Sequence, residues 1–341
     1  MTWSHRVAVR EKIGLLCGVV GPSGSGKTRT ALHIAKGMAN GTGRIFMVDT
    51  EAGRGLHYAP KPGEKADSSK GTFDFCHVDF QPPFTPERYV EVVRYCEENG
   101  ATVIVLDSTS HEWAGEGGCA DMQAIEAERM AKRAAEKSGK NWEYLMDSMT
   151  APAWAKPKKM HKRMVSKLLQ SRAHLIFCLR AEEKIKIVGG KVVPIGFQPI
   201  CEKSLPFELT CSMMLHPSRP GCPDYSLPIK LNDDLQAIFP DGQRIGDEAG
   251  RRLRAWVETG EDRKPEDRTA GVVRDLIERI QDAPTLEALH AIEGEEAVIQ
   301  QRKWLLEKRS KLAADVTAAI AGAEEVFNSP GEDDVRRDEA A

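Results

Sequence analysis

Residues 21–28, with the sequence GPSGSGKT, could bind phosphate. They follow the apolar run 13–20 and match the pattern G-x-x-x-x-G-K-[ST], in which every position has a mechanical role. The glycines let the backbone curl so that N–H groups point at phosphate oxygens. Lys27 would reach the β- and γ-phosphates, and the Thr28 hydroxyl would bind Mg²⁺. The motif predicts a nucleoside triphosphate site, with nucleotide contacts expected from Gly21, Pro22, Ser23, Gly24, Ser25, Gly26, Lys27, Thr28 and Arg29.

Two carboxylates that follow predicted strands could complete this site. Asp107 ends the apolar run 102–106, and the carboxyl end of a parallel strand is the side of the sheet where ligands bind. We therefore expect Asp107 to orient the metal together with Thr28, although an aspartate that only caps a turn is the alternative. Glu51 comes just after the predicted strand 44–49, from where it could polarise a water molecule for attack on the γ-phosphate.

The segment 49–58, DTEAGRGLHY, resembles the RecA-type recombinase core. In that family the second strand ends in Asp-x-Glu, whose Glu activates water, and a Tyr seven residues later stacks on adenine. The resemblance implies these roles for Glu51 and Tyr58 and implies ATP as the nucleotide. It extends to Asp107-Ser108 and to the run 174–180, which is similar to the sensor strand of the family. That strand ends in Asn-Gln in the family, whereas here Arg180 stands at its end and would sense the γ-phosphate.

Phage-encoded RecA-like ATPases, including the Sak-type single-strand annealing group, look similar in a second region. They carry a Trp, a Lys-Pro element and a basic helix before an Arg-bearing strand. Here Trp154, Lys156-Pro157 and the run 158–163 precede Arg180. The resemblance covers about residues 13–232. It implies an ATPase, with Lys27, Glu51 and Arg180 catalytic, that acts on single-stranded DNA in recombination or annealing.

The alternation of apolar runs and helical patterns predicts an α/β fold, with a mainly parallel twisted sheet flanked by helices. Together with the resemblance described above, this pattern implies a RecA-like P-loop NTPase core. We expect the core to span residues 1–257, with an insertion at about 110–157, followed by a charged linker over 258–268. Apolar residues at helical spacing then predict a C-terminal helical hairpin over 269–327, with helical stretches at about 270–291 and 295–323. The polar residues 328–341 are expected to be disordered. The predicted strands are 14–20, 44–49, 73–79, 102–106, 174–179 and 209–215.

The composition is that of a globular protein, at 41% hydrophobic and 29% charged residues. No apolar stretch could span a bilayer and no signal peptide is recognisable, so we expect a cytoplasmic protein without a membrane partner. The 8 cysteines lack a C-x-x-C pair and are read as reduced structural thiols. A net charge of -3 gives no overall attraction to nucleic acid, so DNA contacts would need local basic patches.

Two local patches of basic residues fit that requirement. Cations that alternate with aromatic residues suit single-stranded DNA, because they contact phosphates while the rings stack on bases. A solvated helix face and a local core of Trp residues are the alternatives. In a homo-oligomer, which we expect, Lys184, Lys186 and Arg219 could instead reach the γ-phosphate of a neighbouring subunit. The candidate DNA contacts are Lys156, Lys158, Lys159, Lys162 and Arg163 in the first patch and Lys184 and Lys186 in a predicted hairpin over 182–194.

Two other functions remain open from the sequence. A P-loop kinase shares the phosphate motif, but the Asp-Thr-Glu segment at 49–51 counts against it. A nucleotide-gated partner-binding protein would use the C-terminal helices to dock a protein partner.

Overall fold

The computed structural model describes residues 14–188, 191–259 and 268–328. The chain divides between residues 261 and 262 into two compact units. In the described part of the first unit, seven strands form one sheet in the order β3-β2-β4-β5-β1-β7, and β6 pairs with an extension of β5. The strands are β1 (Leu16–Gly21), β2 (Arg44–Asp49), β3 (Cys76–Asp79), β4 (Ala101–Asp107), β5 (His174–Val188), β6 (Lys191–Pro199) and β7 (Cys211–Met214).

Helices cover both faces of this sheet. All of its strand pairs are parallel except the pair formed by β5 and β6. The predicted α/β P-loop NTPase class, with a mainly parallel sheet and flanking helices, is therefore confirmed. The helices of this unit are α1 (Lys27–Ala39), α2 (Pro86–Glu98), α3 (Ser110–Ala114), α4 (Cys119–Ser138), α5 (Met146–Thr150), α6 (Ala155–Leu168), α7 (Leu205–Glu208), α8 (Asp233–Ile238) and α9 (Asp247–Glu258).

The two faces of the sheet bury separate apolar clusters because successive side chains of a strand point to opposite sides. In β4, Val103 and Val105 belong to the cluster that contains apolar residues of α1 and α9. Ile104 and Leu106 belong to the cluster that contains residues of α2 and α6. Burial on both faces explains why this strand is apolar from residue 103 to residue 106.

Two glycines bring α1 and α9 into backbone contact. A Cβ atom on Gly37 would lie 2.1 Å from the carbonyl oxygen of Asp247, and one on Gly250 would lie 2.3 Å from that of Ile34. No side chain fits in either place. The helix that begins at the phosphate-binding loop is thus seated directly on α9.

The element boundaries differ from the predictions in several places. The third strand begins at Cys76 rather than at residue 73, and the predicted insertion is helical, since it comprises α3, α4, α5 and the start of α6. The predicted hairpin forms as Ala181–Val188 paired with β6. Its turn residues Gly189 and Gly190 lie outside the described residues, as do residues 260–267 of the predicted linker and residues 329–341 of the predicted tail.

The second unit has four described helices where two were predicted. The first predicted stretch breaks because Pro284 has no N–H to donate and Thr285 caps a new helix by accepting from the N–H of Ala288. The second breaks at Arg309, which has a non-helical backbone. Apolar residues of all four helices form one core. The helices are α10 (Arg268–Gln281), α11 (Leu286–Glu293), α12 (Glu296–Lys308) and α13 (Ser310–Asn328).

No described helix combines the length and the apolar character needed to cross a bilayer.

Candidate nucleotide site

The phosphate-binding loop connects β1 to α1. Gly24 and Gly26 have φ angles of 78° and 83°, in the left-handed region that glycine adopts without steric cost. A Cβ atom on Gly21 would lie 2.5 Å from the hydroxyl oxygen of Ser25 and 2.7 Å from the carbonyl oxygen of Leu215. The loop geometry therefore depends on glycine at these positions, as the sequence pattern predicts.

Two polar side chains of the loop, Lys27 and Ser25, could bind an anion. The Nζ of Lys27 donates to the carbonyl oxygen of Pro22 at 2.9 Å, which folds the cation back over the loop. Burial lowers the pKa of Lys27, and the nearby carboxylates of Asp107 and Glu51 oppose that shift. The hydroxyl of Ser25 is buried and has no hydrogen-bond partner among the described residues.

Thr28 and Asp107 form the candidate metal site. The Thr28 hydroxyl donates to Oδ2 of Asp107 at 2.6 Å. Burial raises the pKa of Asp107 to about 6, and the bond from Thr28 opposes this shift. A hydroxyl and a carboxylate are the oxygen ligands that Mg²⁺ prefers, and a cation would neutralise this buried carboxylate. The residues present therefore fit a Mg²⁺ ion.

A buried aspartate holds the turn that carries Glu51. Oδ1 of Asp49 accepts from the N–H of Glu51 at 2.7 Å, and Oδ2 accepts from the N–H of Gly55 at 2.8 Å. Oδ2 also lies 3.1 Å from Nε2 of His77. Both carboxylate oxygens are thus used to shape the segment after β2.

The carboxylate of Glu51 contacts two arginines. Arg180 donates to Oε1 from Nε at 3.0 Å and from Nη2 at 2.7 Å. Arg54 donates to Oε2 at 3.3 Å. Arg180 is the last residue of β5 that pairs with β1, so it enters the site from the centre of the sheet. In this arrangement both oxygens of the Glu51 carboxylate accept hydrogen bonds from guanidinium groups.

The segment after β2, together with Thr28 and Asp107, lines a cavity of about 320 Å³. Tyr58, at its wall, has a raised pKa because of burial, so its phenol is neutral. Of the residues expected to act on the nucleotide, the cavity brings together Thr28, Glu51, Tyr58 and Asp107. Its lining is Thr28, Asp49, Glu51, Arg54, Gly55, His57, Tyr58 and Asp107.

The family model described as an AAA domain matches residues 14–205, which is more than half of the chain. The chain belongs to the AAA domain family. Among solved structures, the RadB recombinase is 17% identical, with a TM-score of 0.34, and the match covers 74% of this chain and 93% of that one. None of the curated proteins matches the chain.

The predicted DNA contacts lie at two places on the AAA domain unit. The basic residues of the first patch are on α6, whose opposite face buries His161, Met164 and Leu168. Lys184 and Lys186 are exposed on the part of β5 that pairs with β6, and Lys184 lies 3.3 Å from Glu182. The two groups are therefore on different elements and are both accessible.

The aromatic residues of the insertion divide between two roles. Trp154 stacks on Trp113, with ring centroids 5.0 Å apart, which is the local Trp core that the sequence left open. Trp142 lies against Nζ of Lys132. Tyr144, by contrast, is 85% exposed and can stack on a base.

Arg219, the other candidate for reaching a neighbouring subunit, lies 3.5 Å from Asp224.

Several residues of the site were not found from the sequence. Asp49, Arg54 and His57 line the cavity, and His111 lies close by on α3. The only available signal was an aspartate at the end of a strand directly before Thr50-Glu51. The roles of Arg54, His57 and His111 depend on the groups that they contact in the folded chain. The sequence pattern does not indicate those contacts.

Proposed function

We propose that this AAA domain binds ATP with Mg²⁺ and hydrolyses it. The observation that carries the proposal is the arrangement of Thr28, Asp107 and Glu51 around a single cavity beside the phosphate loop. A P-loop supplies binding, a hydroxyl–carboxylate pair supplies metal ligands, and a separate carboxylate supplies a base. Together they supply the parts that transfer of the γ-phosphoryl group to water requires.

Binding would depend on the loop N–H groups, Lys27 and the start of α1. The positive end of the helix dipole and the Lys27 cation both attract phosphate. Thr28 and Asp107 would hold Mg²⁺, which neutralises negative charge on the phosphate oxygens. Tyr58 would pack on the adenine, as the resemblance to the RecA-type core implies.

The hydrolytic step assigns distinct roles to Glu51 and Arg180. Glu51 would accept a proton from the attacking water, which requires its carboxylate to be free of strong donors. The γ-phosphate is an anion that competes with Glu51 for the planar donor fork of Arg180. Arg180 would therefore sense the nucleotide by leaving Glu51 when phosphate is present.

Phosphate release from ATP tests the assignment of the base. Glu51→Gln should bind ATP·Mg²⁺ within about twofold of wild type while kcat falls by on the order of 100-fold, as expected for loss of general-base catalysis. Lys27→Ala should instead lose nucleotide binding. Glu64→Gln, the same change on an exposed loop residue, is the matched control. Unaltered hydrolysis by Glu51→Gln contradicts the proposal, and phosphate that appears on an acceptor favours a kinase.

We further propose that hydrolysis is coupled to single-stranded DNA, in recombination or annealing of the phage type. Support comes from the exposed basic side chains on α6 and β5 and from the exposed Tyr144. Adding single-stranded DNA should stimulate turnover, and Lys158→Glu with Lys162→Glu should remove the stimulation. Each lost phosphate contact should lower the slope of log affinity against log salt by about 0.7.

Lys61→Glu with Lys65→Glu, on an exposed loop, is the charge-matched control for that experiment. Turnover that is indifferent to nucleic acid, with no binding at low salt, would contradict the coupling. It would favour the second candidate, a nucleotide-gated partner-binding protein. That candidate is supported by the separate core of the second unit and by the exposure of Trp304 and Leu306 on α12.

A further inference from the structure

The first residues of α3 contact Arg180 and the residue that precedes Glu51. The hydroxyl of Ser110 accepts from the N–H of Arg180 at 2.9 Å. In the next residue, Nδ1 of His111 lies 2.7 Å from the hydroxyl oxygen of Thr50, which directly precedes Glu51. One short helix therefore contacts the backbone N–H of Arg180 and the side-chain hydroxyl of the residue that precedes the candidate base.

The other hydrogen bonds of the Thr50 hydroxyl indicate which group donates in its contact with His111. The buried Thr50 hydroxyl accepts from the N–H of Ser108 at 2.7 Å and lies 3.2 Å from the carbonyl oxygen of Ser108. It has one proton and two lone pairs. If it donates to the Ser108 carbonyl, His111 donates to it through Nδ1 and all three contacts are satisfied. The second nitrogen of His111 is then an acceptor.

The imidazole is held from other directions as well. The ring of Phe84 stacks on it, with centroids 5.0 Å apart and an interplanar angle of 25°. The next residue, Glu112, is fully buried and contacts Nδ1 of His161 at 3.1 Å and Sγ of Cys119 at 3.1 Å, which fixes α3 to α6 and α4. Burial, and then the charge of Arg180, lower the pKa of His111, so the ring is neutral at pH 7.

The contacts of Glu51 show why a fixed backbone matters here. Its carboxylate is located by Arg180 and by Arg54, and the side chain of Arg54 is 76% exposed. When Arg180 withdraws, the side chain loses its main restraint. What remains is the backbone, which is held by the bond from Glu51 to Asp49 and by the contacts of Thr50.

We propose that His111 is a positioning residue for water activation: through Thr50 it fixes the backbone from which the Glu51 carboxylate reaches the attacking water. The inference rests on the proposed hydrolytic role of Glu51. An error of about 1 Å in the position of a catalytic group can cost on the order of 100-fold in rate. A neutral imidazole also holds Thr50 without adding a second cation beside Glu51.

Steady-state hydrolysis by three His111 variants tests this role. His111→Ala should lower kcat by about tenfold at unchanged KM and unchanged ATP affinity, because only the orientation of the base is lost. His111→Asn places an amide near the position of Nδ1 and should stay within about threefold of wild type. His111→Gln places its amide near the other nitrogen and should resemble His111→Ala. His290→Ala, an exposed histidine of the second unit, is the matched control.

The outcomes separate this inference from the proposed function. If wild type hydrolyses ATP and Glu51→Gln does not, but His111→Ala keeps the wild-type kcat, the positioning role is wrong and the base assignment stands. A rise in KM alone, or an equal loss in the Asn and Ala variants with lowered thermal midpoints, also overturns it. If wild type does not hydrolyse ATP, the proposed function itself fails. In that case, ATP binding that is equal in all variants would not count in favour of His111.

Discussion

Two pairs of side chains meet at the same edge of the sheet, and they differ in burial and in chemistry. The bond from Thr28 to Asp107 is 2.6 Å long, and Asp107 is only 6% exposed. The pair formed by Arg180 and Glu51 is ionic, and the arginine side chain is 42% exposed. Water competes for an exposed ion pair and screens it, whereas water has little access to a bond that a buried carboxylate accepts. The proposed metal site is therefore preorganised, and the proposed base can exchange partners.

The largest expected effect tests the buried pair in the absence of metal. At pH 7.5 in a chelator, Asp107→Asn should raise the free energy of unfolding by about 3 kcal/mol, because burial raises the pKa of this carboxyl from 3.8 to about 6 and so disfavours its charged form. The asparagine oxygen can still accept from Thr28. Urea denaturation with a chelator gives the measurement.

The pH dependence of stability gives an independent test of whether Asp107→Asn stabilises the protein. The native state binds the Asp107 proton more tightly than the unfolded state, so this residue makes stability fall as pH rises from about 4 to about 6. The advantage of Asp107→Asn should grow across that window and vanish below it. If Asp107→Asn is less stable than wild type at pH 7.5, burial does not destabilise the charged form of the Asp107 carboxylate.

An intermediate effect is expected at the exchangeable pair. Arg180→Ala should lower kcat by about tenfold, or about 1.4 kcal/mol, because the cation proposed to sense the γ-phosphate is lost. Arg180→Lys should recover only part of this, since an ammonium lacks the planar fork. Arg172→Ala, at an exposed arginine before β5, is the control for phosphate-release assays. Faster hydrolysis by Arg180→Ala would instead make Arg180 purely an inhibitor of Glu51.

The smallest effect is expected at Arg54. Its contact with Glu51 is 3.3 Å long and its side chain is 76% exposed, so the interaction should contribute less than about 0.5 kcal/mol. Arg54→Ala should keep kcat within about twofold of wild type in the same assay. A loss as large as that of Arg180→Ala would mean that both arginines hold the nucleotide, and the two sides of the site would then differ less than their burial suggests.

The parts of the site that the sequence predicted are those defined by local patterns. The phosphate loop is eight consecutive residues, and Asp107 follows from the rule that parallel strands present their carboxyl ends at one edge. The bond between Glu51 and Arg180 joins residues 129 positions apart, and its geometry depends on side-chain conformations that charge and burial select together. His111 contacts a hydroxyl group, for which the sequence pattern carries no signal. The place of Asp49 at the end of a strand is visible in the sequence, but the two backbone N–H groups that its carboxylate binds are not.

In the second unit, the prediction of helices is wrong for the opposite reason, because a local signal is outweighed by a longer pattern. The signal for a helix break was present in the sequence, since Pro284 and Thr285 stand together before an apolar run. Apolar periodicity continues across them and predicts one long helix where α10 and α11 form. Proline and a capping threonine act on individual hydrogen bonds, and at this position they decide the backbone against the longer-range pattern.

The contact between Gly37 and Gly250 has a consequence for how mutations would be interpreted. Gly37 is ten residues along α1 from Lys27, or about 15 Å at 1.5 Å per residue. Even a methyl group at either glycine has backbone atoms of the other helix in its place, so α1 would have to tilt away from α9. In a scan of alanine substitutions scored by ATP affinity, we expect both positions to group with the phosphate loop, although neither side chain could touch a nucleotide.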